Sequence, residues 1–389
     1  MTGSFSRCGL VKWGRGLLRC GILMAALLSA AGLYGQRGCD CETYSRLLKR
    51  EAPFQAEGLV NIVNKYGPVF VEGWDKDRIR VETLTEVQAA SEAGAHPVFE
   101  RIHTEMNLQQ RLANIHTQLG EARSNWWSWP GMEPEDYTVS IKVFLPRRVA
   151  LNLDNKQGDV YLANLEGSVK AKVNGGDVDA SYLSGQTIIQ LRDGNANLEG
   201  ITRLKAEWVN VEGHLKKSAF ADIKSSYSTL YFREVREVKS VSRYDTYFVD
   251  QVVSFSNQGR YDELDLEDVA RADINSALSR IFVAHVRSQL TVRADSSDVY
   301  ISELPPGFER VVLEGRFTDF ELKFDPGTPF VLDAEGRYAG IRYPGALHIN
   351  SETEVSNRHA VRGYLYADRP GVGRIEARLT YGALSIEKD

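Results

Sequence analysis

Four columns of apolar residues recur at a fixed step of 17 along the middle of this chain. Leu230, Tyr247, Leu264 and Ile281 form one column, Phe232, Val249, Leu266 and Val283 a second, and Val235, Val252, Val269 and Val286 a third. Tyr227, Tyr244, Tyr261 and Leu278 make the fourth. The same internal spacing, apolar at 0, +2 and +5, occurs upstream at a step of 18. There Val160, Val178 and Ala196 are followed by Leu162, Ala180 and Leu198, then by Leu165, Leu183 and Ile201. Downstream, Val299, Ile301 and Leu304 repeat the pattern after 18 residues, and Phe320 and Leu322 after 21.

Residues at i and i+2 share one face of a β-strand. A segment of 17 or 18 residues is too small to bury that face alone, so identical segments must stack and let each column form part of one core. The turn residues fit, with N-K-Q-G-D at 155–159, N-G-G-D at 174–177 and R-D-G-N at 192–195 ahead of the strands. Asn, Gly and Asp tolerate the positive φ that tight turns demand. The expectation is an all-β fold, a single-stranded parallel β-solenoid of about ten rungs over residues 151–325, roughly 50 Å long at ~4.8 Å per rung. An antiparallel sandwich gives no reason for identical columns at one step. A left-handed hexapeptide helix would need small apolar residues at every sixth position, and 153, 159, 165, 171 and 177 read Leu, Asp, Leu, Ala and Asp.

This register makes Leu264 buried between Tyr247 and Ile281. All four columns, the tyrosines included, are expected inside. The step changes from 18 to 17 across a repeat at 208–215 that lacks the pattern, which marks a bend or groove and the first place to look for a site.

The first 35 residues read as a secretory signal peptide. Arg7, Lys12, Arg15 and Arg19 precede the apolar run from Gly21 to Tyr34, and cleavage is expected after Ala31 or Gly35. The run is shorter than the ~20 residues that span a bilayer, so no transmembrane anchor is expected after cleavage. Export to the periplasm, outer surface or extracellular space follows. Loss of those four charges takes the net charge from −5 to −5 − 4 = −9, and an acidic chain is a poor nucleic-acid binder. Cys39 and Cys41 lie in a leader, 36–53, and no cysteine follows, so no disulfide framework holds the fold.

Residues 64–75 read N-K-Y-G-P-V-F-V-E-G-W-D, residues 79–83 I-R-V-E-T, and residues 137–146 Y-T-V-S-I-K-V-F-L-P ahead of N-K-Q-G-D-V. With these motifs the sequence resembles the bacterial "putative adhesin" families of exported β-strand-repeat proteins, over most of residues 54–389. The resemblance implies a right-handed parallel solenoid and assigns no catalytic residues. Residues 54–150 are expected to supply N-terminal strands and a cap, with a short helix from Val87 towards Ile102 that Pro97 ends, and a pair of strands over His103 to Leu119. Residues 326–389 should be loop-rich until a final strand from Gly373 to Glu387.

Candidate chemistry is sparse. None of the seven histidines has a metal-ligand spacing, and no nucleophile-elbow, phosphate-loop or dinucleotide motif is present. No catalytic, cofactor-binding or metal residue is assigned. Asp245, Asp262, Glu263, Asp265, Glu267 and Asp268 cluster along the repeats. Carboxylates in a groove would suit a carbohydrate-active enzyme, but alternation with apolar columns reads more simply as a solvated face. Trp126, Trp127 and Trp129 in W-W-S-W-P are the candidate partner-binding residues, able to stack on sugar rings or enter a membrane interface. Packing over the solenoid is their simpler reading. The sequence thus points to a non-enzymatic exported structural or binding protein whose partner is unknown, a glycan or another envelope protein. The alternatives are a carbohydrate-active enzyme and an envelope signalling accessory.

Overall fold

The computed structural model describes residues 42–120, 137–367, 369 and 371–388. The signal segment, Cys39, Cys41 and the three tryptophans Trp126, Trp127 and Trp129 lie outside the described residues. The described chain is all-β, with 21 strands in one mixed sheet and one helix.

The N-terminal part runs β1 (Glu42–Pro53), β2 (Leu59–Lys65), β3 (Val69–Trp74), β4 (Arg78–Ala89), α1 (Glu92–Arg101), β5 (Ile102–Leu108), β6 (Leu112–Leu119) and β7 (Tyr137–Pro146). Then come β8 (Ala150–Lys156), β9 (Val160–Leu165), β10 (Val169–Asn174), β11 (Val178–Ser226), β12 (Thr229–Arg243), β13 (Thr246–Arg260), β14 (Glu263–Ala277), β15 (Arg280–Asp295), β16 (Asp298–Glu303) and β17 (Arg310–Phe324). The C-terminal part holds β18 (Phe330–Arg342), β19 (His348–Val355), β20 (Arg358–Leu365) and β21 (Gly373–Lys388).

From β8 to β17 each coil pairs in parallel with the next. Val169 lies opposite Leu151, Val178 opposite Val160, Thr229 opposite Glu212 and Thr246 opposite Thr229. The apolar columns of β9 to β17 therefore lie on themselves. Leu264 is buried and pairs with Tyr247 on one side and Ile281 on the other. The step lengthens from 17 to 18 at a register shift between Val269 and Arg271.

The repeat at 208–215 is a regular coil with its apolar mass moved. Trp208 is fully buried, and Gly213 stands where neighbouring coils carry Ala196 and Leu230. A Cβ on Gly213 would lie 2.6 Å from the Trp208 indole and 2.8 Å from Leu230 Cδ2. One large side chain thus fills the space of two, which erased the pattern from the sequence. Glu212 to Ser226 still pairs with Thr229 to Arg243. The pairing at this repeat is regular, and a groove of about 350 Å³ lies beside it with Asn195, Asn210, Glu212 and Tyr227 along its walls.

Both ends depart from sequence order. β2 pairs in parallel with β6 on one side and β8 on the other, and β3 with β7 and β9. The coil at 59–74 is thereby clamped between two later segments, and the chain crosses its level at Arg147–Val149. Arg147 seals the crossing with two hydrogen bonds to Asp75, at 2.7 and 3.1 Å. At the other end β21 lies between β17 and β18, parallel to both. The last strand in sequence is therefore not the last in space, and β18, β19 and β20 stand where loops were expected ahead of the expected final strand β21.

Antiparallel strands cover the ends: β1 and β7 flank β4, β5 lies on β6, and the β19–β20 hairpin lies on β18. Half-wet antiparallel edges are less prone to templating than an open parallel coil. Residues 42–53, expected in the leader, form β1 along the whole of β4. The helix starts at the Ser91 cap and runs through Pro97 to Arg101. Proline removes one N–H there, but Ala95 and Val98 are buried beneath it and hold the turn.

Candidate binding ridge and the buried seam beneath it

One corner recurs in every coil and is always left-handed. In coil order its residues are Tyr66, Gln157, Gly175, Asp193, Asn210, Tyr227, Tyr244, Tyr261, Leu278, Ser296, Phe317, Tyr381 and Tyr338, all at positive φ. The first half of the corner uses mainly residues that adopt this conformation readily. From Tyr227 onward it does not. A bulky L-residue there costs about 1 kcal/mol or more, so the aromatic choice opposes backbone preference.

These side chains point out. Seven of the last eight corner residues are large and exposed, from 36 to 61%. Tyr227, Tyr244, Tyr261 and Leu278 were expected as the fourth column of the core, and this placement is corrected. A left-handed residue breaks the in–out alternation of the strands, so identity at a fixed step does not fix the side on which a column lies. Tyr227 stacks on Tyr244 at 5.1 Å and Tyr244 on Tyr261 at 4.7 Å between ring centroids. Tyr381 sits between Phe317 and Tyr338, at 4.8 and 5.0 Å. Arg243, Arg260 and Arg316 lie over the rings of Tyr244, Tyr261 and Phe317. Stacking and cation–π contacts each contribute on the order of 0.5–1 kcal/mol and offset the backbone cost. The result is an ordered aromatic ridge, roughly 34 Å long at ~4.8 Å per coil.

The residue after each corner points in. After Tyr66, Gln157, Gly175 and Asp193 it is glycine, and backbones meet directly: a Cβ on Gly158 would lie 2.1 Å from Gly67 O, and one on Gly194 2.1 Å from Gly176 O. From Tyr227 to Phe317 it is Ser228, Asp245, Asp262, Ser279, Ser297 or Thr318, all buried. Each accepts the backbone N–H of the coil before it. Ser228 N–H donates to Asp245 Oδ1 at 2.8 Å, Asp245 N–H to Asp262 Oδ1 at 3.0 Å, and Asp262 N–H to Ser279 Oγ at 3.0 Å. Val211 and Ser279 N–H donate likewise to Ser228 and Ser297 Oγ.

Asp245 and Asp262 are 2 and 4% exposed, so their expected place on a solvated face is also corrected. Glu263 does lie outside, 3.6 Å from Arg280, and Asp268 pairs with Arg287 at 2.9 Å. Around the two buried carboxylates the core turns polar. Ser242 donates to Asp262 Oδ2 at 2.7 Å, Asn257 donates to Ser240 and Ser242, and Ser225 meets the buried Tyr247 hydroxyl at 2.8 Å. Burial pushes the Asp245 carboxyl up to about 6, with the Asp262 charge adding to the rise and hydrogen bonds from Ser225 and the Ser228 and Arg243 N–H groups opposing it. Burial raises Asp262 and Tyr247 as well. Gly259 is required beside them, because a Cβ there would lie 2.1 Å from Asp262 Oδ2.

A seam of this kind caps backbone and presents no carboxylate pair to a substrate. Among the described residues no group of three or more His, Cys, Asp or Glu is placed to hold a metal, and no helix is long and apolar enough to cross a membrane. His285 is half-buried and lies 3.4 Å from Glu303. Sequence reasoning missed the ridge and the seam together. The signal was present as Tyr-Ser, Tyr-Asp, Tyr-Asp and Leu-Ser at the common step.

The fold and corner define an all-β protein with one large mixed sheet and an ordered aromatic edge. No protein-family model and no curated protein matches the chain. Among solved structures it is similar to a "putative adhesin" of Parabacteroides distasonis (12% identity, 71% of this chain and 97% of that one, TM-score 0.29). It is also similar to a "putative adhesin" of Bacteroides fragilis (10%, 88 and 97%, 0.26) and a "putative lipid binding protein" of P. distasonis (10%, 88 and 96%, 0.25).

Proposed function

We propose that the protein is an exported, non-enzymatic binding protein, a right-handed parallel β-solenoid of about ten rungs that presents its aromatic corner to a partner in the cell envelope or outside the cell. The observation that carries this reading is the ridge itself. Exposed tyrosines held at positive φ, with arginines ordered over their rings, are what an interface selects and what a free surface does not need. The parallel register between β8 and β17 supports the solenoid, and the start of the sequence supports export. The carbohydrate-active alternative loses its best carboxylates, since Asp245 and Asp262 serve the backbone inside the coil. The tryptophans Trp126, Trp127 and Trp129 stay a secondary candidate surface.

The test is co-sedimentation of purified protein with cell-envelope material of the producing organism. Wild type is retained, and a Tyr244→Asn/Tyr261→Asn variant is released while melting like wild type, because Asn suits the left-handed corner. Equal retention of both would remove the ridge from the reading. No retention of wild type on any envelope fraction would sink the binding role.

A further inference from the structure

The ridge also carries information on what it holds, an inference that rests on the binding reading above. Arg243, Arg260 and Arg337 stand immediately before Tyr244, Tyr261 and Tyr338, all exposed, and among the described residues none of the three forms an ion pair. Arg316 by contrast is closed by Asp295. The row of large side chains is interrupted once, at Ser296. Leu278 and Phe317 flank it along the corner, leaving a notch two coil steps long, roughly 10 Å. On the side of the ridge away from these arginines runs a groove of about 650 Å³ with acidic walls, where Asp298 is exposed and Glu263 is paired with Arg280.

The chemistry separates the partners. Sugars stack on open ring faces, but the inner faces of the Tyr227–Tyr244–Tyr261 stack are taken up by one another. A bilayer is a broad flat surface and would meet only a row one ring wide. An extended polypeptide fits better. At ~3.3 Å per residue about ten residues span the ridge, and carboxylates on it complement arginines already ordered over tyrosine.

We infer that the arginine side of the ridge docks an extended acidic segment of a partner protein, with carboxylates on Arg243 and Arg260 and one large apolar side chain in the notch above Ser296. The segment lies along the stack and touches several successive coils, so its specificity is set by the order of corner residues and not by a single pocket.

The experiment selects peptides from a random displayed library on the full chain, with counter-selection on the Tyr244→Asn/Tyr261→Asn variant. Enriched peptides are then measured by fluorescence anisotropy. The expected result is a consensus of acidic residues beside a branched or aromatic one. Arg243→Gln/Arg260→Gln should weaken binding about tenfold or more, the effect of losing charge-assisted hydrogen bonds. Ser296→Tyr should weaken it by filling the notch, and Ser296→Ala should not. Peptides without acidic residues, affinity unchanged by the arginine variants, or ridge-dependent binding confined to phosphatidylglycerol vesicles would each overturn the inference. If envelope retention depends on the tyrosines while no acidic peptide emerges, the partner class is wrong and the binding reading stands. If retention does not depend on them, that reading fails first.

Discussion

Replacing Asp245 by Asn removes a buried ionisable group and keeps an oxygen able to accept from the Ser228 N–H. Asp245 rises from its ordinary value of 3.8 to about 6 in the folded chain, mainly through burial. A raised carboxylate contributes stability that is fully present below the unfolded value and is lost as pH rises through the folded one. Wild type should therefore lose about 3 kcal/mol between about pH 4 and pH 7, since each pH unit separating the two values is worth about 1.4 kcal/mol. The Asn variant lacks this loss. Asp75, Glu82, Asp295, Glu335 and Glu352 are held low by Arg147, Lys49, Arg316, Arg358 and His359, and they act in the opposite sense. They are common to both proteins and cancel in the difference. The assay is amide hydrogen exchange of the Ser228 and Asp245 N–H groups, which reports local opening of these coils. Protection in the variant should match wild type at about pH 4 and exceed it increasingly towards pH 7. A difference independent of pH would refute the assignment to burial. A variant less protected at pH 7 would show that the charged carboxylate's hydrogen bonds outweigh its desolvation.

Other changes probe the packing. Leu264→Asp buries an unpaired charge between Tyr247 and Ile281 and should cost several kcal/mol, seen as loss of the cooperative urea transition. Gly259→Ala should destabilise by about 1–3 kcal/mol, because the new methyl meets Asp262 Oδ2 and cannot be absorbed without moving the seam. Gly213→Val should destabilise similarly beside Trp208 and recover in the Trp208→Leu/Gly213→Val double variant. A double-mutant cycle with no coupling would refute the exchange of volume.

Periodicity alone determined the part of the fold made by local repetition. Apolar residues at 0, +2 and +5 with a step of 17 or 18 can bury themselves only by parallel stacking, and Leu264 lies where that register puts it. Three things were decided by tertiary structure. The Tyr227–Tyr244–Tyr261 column is apolar by type and exposed in fact, because a left-handed corner reverses the alternation on which a strand reading depends. Asp245 and Asp262 are polar by type and buried, because the same corner turns the next N–H inward and something must accept it. The placement of β2 and β3 between later coils, and of β21 between β17 and β18, arises from pairings between residues tens of positions apart. A local period carries no record of such pairings, so the parallel register of the middle repeats was legible in the sequence, while the ends and the outward edge were not.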